Sequence, residues 1–108
     1  MGETPAPRLR RLLTVADTFA ITGRGLMVAP MPALDEVRGP GDIDVELRLP
    51  DGTRRAARLS LMTEFINPTP AIRRWACLFA DLGKSEVPLG TEIWCPDDVF
   101  VPRLPIAR

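Results

Sequence analysis

Proline and glycine set the tightest limit on this chain, because 12 of its 108 residues are proline and 8 are glycine. They are spread so that no window offers a long uninterrupted helical period with caps at both ends, and an interior proline removes a helical hydrogen bond and clashes with the preceding turn. The chain is therefore expected to be mostly strands. Its length suits one ordinary domain with a real hydrophobic core. A hydrophobic share of 45% against 26% charged residues is the balance of a chain that folds.

The clearest strand runs from Asp42 to Leu49. Ile43, Val45, Leu47 and Leu49 alternate with Asp42, Asp44, Glu46 and Arg48 at a period of two, so one face is core and the other is water. Pro50, Asp51 and Gly52 then supply the preset φ, the bridge region and the left-handed position of a three-residue hairpin with a bulge. On the returning strand, Thr53 to about Met62, Ala57, Leu59 and Leu61 face away from Arg58 and Ser60. With Leu49 and Thr53 closing the loop, Asp44 falls opposite Arg58, and Glu46 lies diagonal to Arg54 and Arg58. Such exposed pairs help fix register but add only about 0.2 to 1 kcal/mol each.

Two further segments have strand composition: Leu12 to Val28, broken by Gly23 and Gly25, and Arg74 to Leu82, with Trp75, Cys77 and Phe79 on one face. A last short strand, Thr91 to Cys95, follows the turn at Leu89 and Gly90. Met31 to Gly41 and Asn67 to Ala71 read as irregular loops. The expected fold is all-β, a small antiparallel barrel or sandwich, and glycines inside a strand pattern favour the barrel. Residues 1–8 are expected to form a flexible arm, 9–95 the domain and 96–108 a proline-rich tail.

The stretch LLTVADTFAITGRGLMV, from Leu12 to Val28, resembles the opening strands of the second domain of elongation factor Tu and other translational GTPases. An apolar lead-in, Asp17, Phe19, Ile21, Gly23, Arg24, Gly25 and Val28 carry the likeness. The later piece from Trp75 to Trp94 is similar to the end of the same barrel, through Trp75 to Ala80, Lys84 to Val87, Gly90 and Ile93. The resemblance implies a stand-alone elongation factor Tu domain 2-like barrel (the translation-protein fold) that binds and does not hydrolyse nucleotide. Family members contact transfer RNA or ribosomal RNA and pack against a GTPase domain. This chain departs from them in having no G-x-x-x-x-G-K-[ST] loop and no room for a GTPase domain, so no nucleotide cofactor is expected.

Charge and residue types narrow the function classes. Lys plus Arg and Asp plus Glu both number 14, so no overall field draws the chain to nucleic acid or an anionic membrane. With no histidine in the sequence, the usual general base and metal ligand are missing, and catalysis, a metal and a cofactor are not expected. Cys77 and Cys95 fall in apolar strands, where buried inert thiols are the common case. Two cysteines are too few for a disulfide framework, so the expected location is cytoplasmic. Met1 to Pro7 carries no apolar signal core, and no run is long enough to span a membrane as a helix.

Candidate binding residues are Gly23, Arg24 and Gly25, then Arg54, Arg55 and Arg58 on one hairpin, with Arg73 at the start of another strand. The first group lacks the third glycine and the helix of a dinucleotide loop. It reads either as a barrel corner or as an exposed turn offering Arg24 to a phosphate or a carboxylate. The arginine cluster is the local footprint of a phosphate-binding surface, but aromatics total only 6%, and Trp75, Phe79 and Phe19 suit the core. The expected function is a non-catalytic interaction module, monomeric or weakly dimeric, with a protein partner. That partner would engage a strand edge or the loop with Met31 and Leu34. The alternative is RNA binding through the arginine-rich face; a third possibility is an antagonist that mimics the translational barrel.

Overall fold

The alternating stretch and its proline-initiated return form the longest hairpin of the computed structural model, which describes residues 8–32, 36–62 and 74–101. In chain order the strands are β1 (Leu9–Thr14), β2 (Asp17–Ile21), β3 (Gly25–Ala29), β4 (Gly41–Arg48), β5 (Arg54–Met62), β6 (Ala76–Phe79) and β7 (Glu92–Pro96). They pair antiparallel throughout, in one seven-stranded sheet of order β1-β7-β4-β5-β6-β3-β2. The β4–β5 register has the expected form: Arg48 faces Arg54, Glu46 faces Ala56 and Asp44 faces Arg58. Gly52 holds φ +92°, as a left-handed loop residue must. The Leu49 amide donates to the Thr53 carbonyl at 2.8 Å and the Gly52 amide to the Leu49 carbonyl at 2.9 Å.

One face of every strand but β2 contributes to one core. Leu13, Leu26, Val28, Val45, Leu47, Leu59, Leu61, Cys77, Phe79, Ile93 and Cys95 are buried together, joined by Val15, Val37, Trp75 and Val87 from the connections. A smaller cluster of Met27, Ala76 and Leu78 lies on the opposite face, with Ile21, Met31 and Met62 packed against it. Strand β6 is consequently buried on both faces, which explains a run too apolar to alternate.

The bend between β1 and β2 falls at Val15 and Ala16, without a glycine. There the Val15 amide donates to the Thr91 carbonyl at 2.7 Å and the Ala16 amide to the Ala29 carbonyl at 2.8 Å, so one short stretch of chain touches both ends of the sheet. Gly23 instead sits in the β2–β3 turn at φ +78°, and Gly25 opens β3 at φ +115°. A Cβ on Gly25 would stand 2.3 Å from the Phe79 carbonyl oxygen, so this glycine permits a close backbone approach.

One expectation changes. Phe19 is 44% exposed because Thr18 takes the inward position of β2; in Asp-Thr-Phe-Ala-Ile alternation alone fits either parity. The described parts of the 31–41 loop are irregular and mostly exposed, but Val37 is buried and its carbonyl accepts a 3.0 Å bond from Trp75 Nε1. Chain beyond residue 95 holds the loop in place. The Arg38 amide donates to the Val99 carbonyl at 2.7 Å and the Val101 amide to the Glu36 carbonyl at 2.9 Å. The loop expected at Asn67 to Ala71, and Leu34, lie outside the described residues.

Candidate binding surface

Strands β3 and β5 both pair antiparallel with β6, so the turns that precede them project at the same end of the sheet. Gly23, Arg24 and Gly25 therefore share an end with Arg54 and Arg55, separated by β6. The arginines of the hairpin do not share a face. Arg54 and Arg58 point outward with Glu46 and Asp44, whereas Arg55 stands opposite Leu47 and reaches the other side, where it pairs with Glu86 at 3.0 Å. Arg58 donates through Nε to Asp44 at 3.3 Å. Arg73 lies outside the described residues.

Carboxylates are held charged around this end. Glu86, in a 3-10 turn at Lys84–Glu86, accepts a 2.8 Å bond from the Gly83 amide; that bond first, and then Arg55, keep its carboxyl below the usual glutamate range. Asp51 is held low by bonds from the Thr53 side chain and amide. By contrast burial pushes the Cys77 thiol up to about 12, with Cys95 nearby adding to the shift. Burial likewise pushes Cys95 to about 11. Thiols so placed stay protonated and away from solvent, which makes them poor nucleophiles.

The outer face of β1, β7, β4 and β5 carries a charge grid that the sequence pattern left unnoticed. Arg11 faces Trp94, Trp94 faces Glu46, and Glu92 faces Arg48. Arg48 Nε donates to Glu46 Oε2 at 2.7 Å, and its guanidinium lies 4.0 Å over the Trp94 ring. Trp94 Nε1 donates to Glu92 Oε1 at 2.9 Å, and Arg11 stands 3.7 Å from that carboxylate. Alternation on β4 marks Arg48 as outward, but only the pairing of β4 with the distant β7 brings Trp94 beside it.

Elsewhere a cleft of about 660 Å³ is lined by Arg10, Glu36, Arg38, Asp97, Asp98, Phe100 and Val101. Inside it Arg10 stacks over Phe100 at 4.1 Å and reaches Asp97 at 3.8 Å. The edge of β2 is partly closed, since the Thr18 amide donates to Asp17 Oδ1 at 2.9 Å. Among the described residues no group of three or more His, Cys, Asp or Glu is placed to hold a metal ion. Compared with protein-family models, curated proteins and solved structures, the chain has no significant match.

Proposed function

We propose that this chain is a small barrel that acts as a non-catalytic module and binds a protein. The observation that carries the reading is the matching of its arginines by carboxylates: Arg48 with Glu46, Arg55 with Glu86 and Arg58 with Asp44. A surface built to track a phosphate backbone needs a stripe of uncompensated cations. A face of interleaved signs instead suits a protein partner with the complementary pattern. Phe19 supplies an exposed apolar anchor directly across from Met27 of the outer cluster, the kind of group that concentrates binding energy.

The barrel is supported by the strand order. Treating β1 and β2 as one strand bent at Val15 and Ala16 turns the seven-strand sequence into a ring of six, with that strand bonded to β7 along its first half and to β3 along its second. Such a ring accords with the elongation factor Tu domain 2-like resemblance at Leu12 to Val28.

Affinity capture on the immobilised full chain, with nuclease treatment and at low and high salt, tests the function. A single protein retained in near-equal amount through both treatments, and lost with Phe19→Asp, is the expected result. Retention of RNA that disappears at high salt, or of nothing, overturns it.

A further inference from the structure

Strand β1 stands at one end of the strand order and is paired on one side alone, with β7. Its hydrogen-bonding phase is fixed at two points. The Asp97 amide donates to the Arg8 carbonyl at 2.7 Å, and Leu9 lies opposite Pro96, which has no N–H to give. Antiparallel pairs alternate between bonded and non-bonded, so Arg8 and Arg10 turn their backbone groups toward β7, whereas Leu9 and Arg11 turn theirs to the other edge. Among the described residues nothing pairs with that edge. The β2–β3 ladder does not extend back along it, because the residues that follow Ala29 include Pro30 and Pro32, which cannot donate.

The edge is open in its side chains as well as its backbone, since Arg8, Leu9, Arg10 and Arg11 are all exposed. An unpaired edge is a template for a further strand, and charge decides which strand it accepts. Three of these four residues are arginine. Arg8 has no ion pair among the described residues. Arg10 and Arg11 meet Asp97 and Glu92 only at 3.8 and 3.7 Å, beyond hydrogen-bonding distance and in the open, where such pairs contribute little. A second copy is the wrong occupant. Two-fold antiparallel pairing through Leu9 and Arg11 sets Arg8 against Arg10, Arg10 against Arg10 or Arg11 against Arg11, according to register, and like charges directly opposed weaken a ladder. A strand that carries carboxylates meets the opposite charge at each of those positions.

We infer that the free edge of β1 accepts an acidic, extended segment of the protein partner as an added strand, an inference that rests on the protein-binding reading above. The backbones of Leu9 and Arg11 give that strand two N–H donors and two carbonyl acceptors. Its side chains alternate between the two faces of the sheet. The residue opposite Leu9 packs on a side chain that is 38% exposed. Residues opposite Arg10 and Arg11 bring carboxylates to the two faces, each directly beside a guanidinium, in place of the looser contacts to Asp97 and Glu92.

The test titrates the full chain with a capped peptide of alternating Glu and Val, followed by amide NMR and hydrogen exchange at low salt. The Leu9 and Arg11 amides are expected to exchange fast in the free chain, and to shift saturably and exchange more slowly with the peptide. N-methylation of the peptide backbone, which removes its donors and keeps its charge, should weaken binding by about tenfold or more. Arg8→Glu, a change at an exposed position, should weaken it by about fivefold, and thermal unfolding of the variant confirms that the fold is kept. Leu9 and Arg11 amides already protected in the free chain, equal binding of the N-methylated peptide, equal binding of a Lys and Val counterpart, or self-association that protects these amides would each overturn the inference. A protein captured in equal amount by Arg8→Glu, and in the presence of excess peptide, overturns the edge and leaves the protein-binding reading standing; capture of no protein overturns both.

Discussion

Gly23 and Gly25, two residues apart, separate conformational freedom from space. At Gly23 a Cβ would meet nothing within 4 Å, and only the φ of +78° opposes a side chain; Gly23→Ala should lower stability by about 1–2 kcal/mol. At Gly25 the φ of +115° is joined by the Phe79 carbonyl at 2.3 Å from the added carbon. Gly25→Ala must push β3 off β6, and a loss above about 3 kcal/mol is expected from urea unfolding. The thiols give a second residue-scale test. Their folded-state values lie above the ordinary 9.0, so the stability that follows from keeping them neutral is complete below that value and is lost as pH rises toward about 11 and 12. Denaturation should steepen over that alkaline window, and a thiol reagent at pH 8 should react with native protein only as fast as the protein opens.

Elements differ in how much they depend on contacts from afar. The β4–β5 hairpin follows from its own residues: alternation, a proline-aspartate-glycine loop and a register in which Asp44 meets Arg58. That ion pair leaves 81% of the Asp44 side chain and 68% of Arg58 exposed, so a double-mutant cycle should return no more than about 1 kcal/mol. The 3-10 turn at Lys84–Glu86 behaves differently, since its carboxylate joins the Gly83 amide to Arg55 of another strand. Glu86 titrates lower folded than unfolded, so its contribution is present above the ordinary glutamate value and disappears as pH falls through the depressed one. Glu86→Gln should therefore flatten the acid limb of a stability profile measured by thermal unfolding. Strand β2 was the least legible element, because Asp17 to Ile21 holds apolar or small residues at both parities, and burial of Thr18 was decided by neighbours the local pattern does not contain.

The whole molecule is organised around a core that draws Val15, Val37, Trp75 and Val87 from the connections, and Trp75 is its clearest joint. Its ring packs against Gly39, where an added Cβ would come within 3.0 Å of the indole, and its Nε1 bonds the Val37 carbonyl. Trp75→Phe should cost about 1–3 kcal/mol by leaving that carbonyl unpaired, against about 2–5 kcal/mol for Leu47→Ala in the same core. The amino-acid sequence by itself determined the all-β class, the longest hairpin with its register and loop, and the inward placement of Cys77, Phe79 and Cys95. Those features rest on periodicity and turn chemistry, which act over a few neighbouring residues. Tertiary structure alone decided that the bend falls at Val15 and Ala16, that Val37 and Phe100 join across a loop and a terminal segment, and that the hairpin arginines divide between two faces. It also stacked Arg48 on Trp94. Each of these joins segments far apart in the chain, and the free energy that selects such a pairing resides in the assembled sheet and its shared core, which no local window contains.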